Sequence, residues 1–271
     1  MIRILFLGDI VGEPGRKAVM GRLASLREEQ AIDFVVVNGE NSAGGRGITP
    51  KIAIDLLRAG AAVITTGDHV WDQRDIMEYF PTEPRLLRPI NYPDSAPGAG
   101  GVILETAKGK IGVMNAQGRT FMNPPLENPI PLAEAEAERM REEGAMAILV
   151  DFHAEATSEK IAFGRALDGK VSAVLGTHTH VQTADERILP GVTAYLTNAG
   201  MCGPDDSVLG RDIDSVLWRF RTGMPTRFPI AKGPVRMCGV MVDVDEQTGH
   251  AQAITRISEL SEDAAESAES P

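Results

Sequence analysis

Cysteine is scarce in this 271-residue chain: Cys202 and Cys238 are the two present, they can pair only once, and a reducing compartment keeps them as thiols. A disulfide framework is therefore excluded as the basis of the fold. No apolar run approaches the roughly 18 residues a membrane-spanning helix needs. The N-terminal stretch MIRILFLGDIVGEPGR reaches an acid at Asp9, which argues against a signal peptide and for a cytoplasmic location. No stripe of Lys and Arg relieves the formal net charge of −11. A stable complex with long nucleic acid is accordingly not expected, because phosphate neutralisation supplies most of that affinity. Small phosphorylated ligands remain compatible with an acidic body, since a bound metal reverses the local field.

What the chain does have is apolar residues, 43% of the total and evenly spread, enough for a sizeable core in one large α/β domain or two small ones. Neither an internal repeat nor a linker interrupts residues 1–258, which read as one domain. Residues 259–271 hold Glu259, Glu262, Asp263, Glu266 and Glu269 with no basic residue, and without them the body carries a formal −6. They read as a disordered acidic tail. Strands are predicted at 3–8, 34–38, 61–66, 101–105, 110–115, 146–151, 171–176, 192–198, 237–244 and 250–257. Most are rich in Val, Ile and Leu without polar alternation, as strands covered on both faces are. Helices are predicted at 14–29, 50–59, 72–80, 131–143, 155–166 and 211–222, with Pro14, Pro50 and Pro131 suited to first turns. The turns in ETAKGK and DEQTGH add antiparallel hairpins. The expected architecture is α/β, with two mixed sheets packed face to face and helices outside.

Four of the five histidines (His69, His153, His178 and His180) stand just past the apolar runs of AVITTGDH, AMAILVDFH and AVLGTHTH, beside carboxylates or glycines; RILFLGD and FVVVNGEN likewise deliver Asp9 and Glu40. Strand ends converging on imidazole and carboxylate offer the mixed donor set that first-row transition metals prefer, which points to a metal-dependent hydrolase. Each motif also has a plainer reading. Asp9 can cap the following helix, and so can Asp68. The Asn38–Ser42 loop can be an ordinary glycine-rich turn, although Glu40 directly after a buried strand needs a metal or a cation as partner. Asp68 and His69, adjacent at a strand end, point in different directions, so one can ligate while the other faces substrate. In Gly176-Thr177-His178-Thr179-His180 the H-x-H pair on extended backbone places both rings on one face. His250, in a turn, reads as exposed and without a role. Gly8, Gly12 and Gly15 do not spell a dinucleotide fingerprint, and Ser42 does not lie in a nucleophile elbow.

Taken together, GDIVGEPGR, NGENSAGGRGIT, TTGDHVWD, NAQGRTF, DFHAEATSEK and GTHTHVQTADERILPGVTAYLTNAGMCGP resemble the YmdB family of calcineurin-like metallophosphoesterases, in that family's order, from about residue 3 to 257. The resemblance implies a four-layer sandwich of two mixed β-sheets flanked by helices. It also implies a binuclear centre and phosphodiesterase activity, with 2′,3′-cyclic nucleotides the leading substrates. By position, Asp9, Glu40, Asn41 and His180 would hold a first metal; Glu40 would bridge to a second held by Asp68, His153 and His178. A hydroxide between the metals would attack phosphorus, and His69 would protonate the leaving oxygen. Arg119 in Gln117-Gly118-Arg119-Thr120 is a candidate phosphate contact, with a structural ion pair as the plainer reading. The donor set suits iron or manganese, and zinc as well. Asp68 departs from the family's usual Gly-Asn-His: three carboxylates and a hydroxide bring two divalent ions to formal neutrality, where asparagine would leave one positive charge. Such a site would tolerate a trivalent iron better or attract anions less.

Two other functions fit the same residues. A phosphomonoesterase would turn over p-nitrophenyl phosphate faster than its bis-ester. A regulatory protein stabilised by metal would have no need of an unligated His69. A homo-oligomer is compatible with either.

Overall fold

The computed structural model describes residues 1–261. In chain order the elements are β1 (Ile2–Leu7), β2 (Asp9–Ile10), α1 (Gly12–Glu29), β3 (Phe34–Asn38), α2 (Pro50–Arg58), β4 (Val63–Thr65), α3 (Ile76–Tyr79), β5 (Gly101–Thr106), β6 (Gly109–Gln117) and α4 (Pro129–Glu142). They continue with β7 (Ala145–His153), α5 (Thr157–Ala166), β8 (Ala173–Thr177), β9 (Arg187–Ile188), β10 (Ala194–Leu196), β11 (Met201–Pro204), α6 (Ile213–Thr222), β12 (Val235–Val244) and β13 (Ala251–Ser261). One sheet runs β2-β11-β12-β1-β3-β4, with β13 also paired to β12; the other runs β5-β6-β7-β8-β10-β9. Strands β1, β3 and β4 are mutually parallel, as are β6, β7, β8 and β10. The β5–β6 and β12–β13 hairpins supply antiparallel pairs.

Strand parity creates the layers, because successive side chains point to opposite faces. In β1, Ile2, Ile4 and Phe6 face inward to a core shared with Ile111, Val113, Ala147, Leu149, Ala173 and Leu175 of the second sheet. Leu5 and Leu7 face outward, where Val19, Leu23 and Leu26 of α1 and Ala53 and Leu56 of α2 cover them. On the far side Ile148, Val150, Phe152 and Val174 pack under Ala133, Ala137 and Met140 of α4 and Phe163 of α5. Helix, sheet, sheet, helix make four layers. Every central strand is therefore covered twice, which is why the sequence shows unbroken apolar runs there.

Several boundaries differ from expectation. The helix predicted at 72–80 shrinks to α3 and a single 3-10 turn over Phe80–Thr82. Before it the chain is pinned as a turn, with the Asp72 carboxylate on Arg46 and His69 and the Gln73 amide on the Arg46 carbonyl. Three short strands, β2, β9 and β11, carry too few residues to show a period. The boundary at 259 is also corrected: β13 pairs with β12 as far as Ser261, and Glu259 forms an ion pair with Arg22 of α1 at 2.8 Å. The rest of the expected acidic tail, residues 262–271, lies outside the described residues. Cys202 and Cys238 are buried and free. No helix among the described residues is long and apolar enough to cross a membrane.

Candidate metal centre

The same inward parity that builds the central core delivers the site. At the carboxyl ends of the parallel strands, where open α/β sheets place their ligands, the inward positions change from apolar to polar. Val36 is followed by Asn38 and then Glu40, Val63 by Thr65, Leu149 by Asp151 and His153, and Leu175 by Thr177. All of these polar residues are buried. They form a floor of hydrogen bonds between the core and the cluster above. The Asp151 carboxylate accepts from Thr177 Oγ1 at 2.7 Å and Asn38 Nδ2 at 2.9 Å, and from the Thr65 hydroxyl. Burial pushes the Asp151 carboxyl up to about 6, against those hydrogen bonds.

Above the floor, Glu40, Asp68, His153 and His178 present four donor atoms that all lie within 4.8 Å of one another. His153 Nε2 stands 3.1 Å from Glu40 Oε1 and 3.0 Å from Asp68 Oδ1. His178 Nδ1 stands 3.3 Å from Asp68 Oδ1 and 3.1 Å from His153 Nε2. A second group joins through Asn41, whose amide donates to Glu40 Oε1 at 2.9 Å and lies 3.3 Å from His180 Nε2. Asp9 completes it: Oδ2 accepts from the His178 backbone N–H at 3.1 Å, and Oδ1 is 3.9 Å from His180 Nε2.

The plainer readings of the acids fail on this geometry. Helix α1 has no side-chain cap and begins after Val11, so Asp9 is not a cap; Asp68 turns to His153 and His178 rather than to a helix. The H-x-H expectation is corrected in one respect. Strand β8 stops at Thr177, and His178 and His180 adopt φ of 90° and 63°, conformations that cost non-glycine residues energy and cluster at functional sites. The rings consequently part, His178 toward Asp68 and His180 toward Asp9 and Asn41. His69 lies outside the four-donor set: its Nδ1 faces Asp72 at 3.2 Å, and its side chain is 24% exposed. Arg119 is exposed, and its backbone N–H is held by the Glu159 carboxylate. His250 is exposed.

Electrostatically the cluster calls for a cation. Burial favours the neutral form of Glu40 and of Asp68, yet the positive charge and hydrogen bonds of His153 outweigh it, aided at Asp68 by His178, and hold both carboxyls below their ordinary range. Burial likewise opposes charge on His153, but Glu40 and Asp68 raise it well above the usual imidazole value. A proton on His153 thus stands in for positive charge between the buried Glu40 and the half-buried Asp68. Asp9 Oδ1, buried, has no hydrogen-bond partner among the described residues, a cost that a bound cation would remove. The residues fit a transition metal on both counts. Gly67 makes room for the arrangement, because a Cβ there would sit 2.2 Å from His153 Cδ2 and 2.4 Å from Glu40 Oε2.

Sequence reasoning passed over Asp151, Thr177, Glu155 and Gly67. A charge inside the apolar run AMAILVDFH was the signal for Asp151, since it shares parity with His153.

Known proteins resemble the chain over nearly its whole length. The family model described as YmdB-like protein matches residues 5–257. A Bacillus subtilis (strain 168) protein named 2′,3′-cyclic-nucleotide 2′-phosphodiesterase is 46% identical over 259 residues, covering 94% of this chain and 96% of its own. A crystal structure of a hypothetical protein from Thermus thermophilus superposes with a TM-score of 0.88 at 38% identity, covering 96% of this chain and 99% of that one. A crystal structure described as a novel phosphatase from Mycoplasma pneumoniae gives 0.89 at 35% identity, covering 97% and 94%.

Proposed function

The chain belongs to the YmdB-like family, and from that premise we propose that it is a metal-dependent phosphodiesterase acting on small phosphodiesters in the cytoplasm, with 2′,3′-cyclic nucleotides as the leading substrates. The observation that carries the reading is the convergence of Glu40, Asp68, His153 and His178 within 4.8 Å, beside a buried Asp9 oxygen without a hydrogen-bond partner among the described residues. Asp9, Glu40, Asn41 and His180 would hold one ion; Glu40, Asp68, His153 and His178 would hold a second, with Glu40 shared. Iron or manganese suits these donors, and zinc is a further candidate. Bound there, two divalent ions would make a water acidic enough to ionise to a nucleophile at neutral pH and would supply positive charge for the phosphoryl oxygens.

The chain's own residues do the rest. Asp72 faces His69 Nδ1 at 3.2 Å and so fixes the ring with Nε2 free; in the imidazolium form Nε2 carries the proton to be delivered. As water adds to phosphorus, the bond to the ribose 2′ oxygen breaks and His69 Nε2 protonates that oxygen. A 3′-phosphate results. Arg119, exposed past the end of β6, is available to meet a phosphate oxygen. Glu40, 1% exposed, is where the two donor groups meet.

A substrate panel on purified protein of known metal content tests the reading. It should favour 2′,3′-cyclic nucleotides and bis(p-nitrophenyl) phosphate over p-nitrophenyl phosphate, and elemental analysis should approach two transition-metal ions per chain. Faster monoester turnover would replace the reading with a phosphomonoesterase. No turnover of any ester by fully loaded protein would leave a metal-stabilised regulatory protein.

A further inference from the structure

We propose that Asp151 and Glu155, the acids on either side of His153, are positioning residues that fix which ring nitrogen His153 and His178 turn toward the four-donor cluster; the inference rests on the reading of that cluster as a metal site. The two rings are turned opposite ways, His153 offering Nε2 and His178 offering Nδ1. Each has an outer partner that accounts for its choice.

For His153 the partner acts through a hydroxyl. His153 Nδ1 is 2.8 Å from Thr177 Oγ1, and that hydroxyl spends its single hydrogen on Asp151 Oδ1 at 2.7 Å. The other Asp151 oxygen already receives Asn38 and Thr65, so the carboxylate is the acceptor throughout. Thr177 Oγ1 must then accept from His153, which puts a hydrogen on Nδ1 and leaves Nε2 for the cluster. For His178 the partner is direct: Glu155 Oε2 lies 3.2 Å from Nε2 and takes its hydrogen, leaving Nδ1 inward. Two nitrogen lone pairs 3.1 Å apart and both facing Asp68 repel unless a positive charge, a proton or a metal ion, lies between them. Outer partners of this kind hold the rings in that orientation.

The two partners differ in setting, and the test uses that. Asp151 ties β7 to β3, β4 and β8 from a buried position, so changing it disturbs the floor of the site. Thr177→Val removes the hydroxyl that links Asp151 to His153 while leaving the Asn38 and Thr65 bonds to Asp151 in place, and Thr177→Ser restores it. Glu155, 48% exposed, can be changed without touching the core: Glu155→Ala removes the acceptor, whereas Glu155→Gln keeps one. Zn²⁺ binding by the full-length apo protein, measured by competition with a chromophoric chelator, should weaken roughly 10- to 100-fold in Thr177→Val and in Glu155→Ala. Thr177→Ser and Glu155→Gln should stay within about threefold of wild type, because each still accepts the ring hydrogen. In Zn²⁺-loaded protein labelled with ¹⁵N-histidine, the retained hydrogens should be found on Nδ1 of His153 and Nε2 of His178.

Unchanged Zn²⁺ affinity in Glu155→Ala, equal loss in Glu155→Gln and Glu155→Ala, or the opposite hydrogens in the NMR spectrum would each overturn the proposal. If Thr177→Val does not fold, as apo melting will show, the Glu155 pair and the spectrum decide. Wild-type protein that binds no Zn²⁺, iron or manganese would instead overturn the metal reading on which the proposal stands.

Discussion

His69 and Glu40 touch, since the His69 backbone N–H donates to Glu40 Oε2 at 3.3 Å, yet substitutions of the two side chains have separable consequences. The His69 ring leans on Asp72 and stays outside the donor cluster, so His69→Ala should keep both ions. Turnover of substrates with poor leaving groups should fall on the order of 10²–10⁴-fold, and that of p-nitrophenyl esters less, because an activated phenolate needs little protonation. Loss of an ion in this variant, or equal slowing of both substrate types with chemistry rate-limiting, would remove His69 from the role of proton donor. Glu40 meets both His153 and the Asn41 amide through Oε1, and so stands between the two donor groups. Glu40→Gln should therefore weaken retention of both ions, and His180→Ala chiefly that of one. Equal metal content in Glu40→Gln and wild type after dialysis would argue against a shared ligand. At this scale the sequence was readable where a polar residue follows an apolar run, which is how Asp9, Glu40, Asp68 and the histidines stood out. It was mute about Thr177 and Glu155, whose parts depend on which ring they meet across strands far apart in the chain.

Elements show why one buried lysine is informative. Lys160 of α5 is 1% exposed and donates from Nζ to the Thr177 carbonyl at 2.8 Å, bracing the end of β8 just before His178 leaves the strand. Burial pulls its ammonium down from 10.5 to about 8, against the attraction of Asp9, Asp151, Glu155 and Asp185. The folded chain thus releases this proton more readily than the unfolded chain does. Between pH 8 and 10.5 the unfolded state holds more protons, so the stability of wild type relative to Lys160→Met should rise with pH across that window. The full span is on the order of 3 kcal/mol. Chemical denaturation of both proteins at about pH 7.5 and about pH 10.5, the two ends of the linkage window, measures it. A difference that is flat or falls with pH contradicts the assignment. The periodicity of TSEKIAFGRA does not announce a buried lysine. Long, doubly covered strands such as β3 and β7 were legible from composition, whereas the short β2, β9 and β11 exist only because neighbours pair with them.

For the whole molecule, two sheets facing each other could be inferred from unbroken apolar runs and two hairpin turns, but not the strand order, which is set by contacts between distant segments such as β1 with β12. Nor did the charge at Glu259 betray that it belongs to β13, since a half-buried strand position with Arg22 as partner accepts an acid as readily as a tail does. The centre lies between the two sheets, with Asp9, Glu40 and Asp68 contributed from one and His153 and His178 from the other. An ion held there would tie the halves together, and without one the buried Glu40 and half-buried Asp68 face one another with the positive charge of His153 as their main relief. Ligands that bind only the folded state stabilise it by mass action, about 4 kcal/mol for an ion present at a thousand times its Kd. At the roughly 2–4 °C per kcal/mol of chains near this size, stripping metal should lower Tm by on the order of 10 °C. Re-addition of Mn²⁺ or Zn²⁺ should restore it, with the gain growing as the logarithm of free metal. Calorimetry of chelated, reloaded and Glu40→Gln protein makes the comparison: a Tm that ignores chelation, in a protein shown to have carried metal, would mean that the two sheets hold together without it and that the cluster is built for chemistry alone.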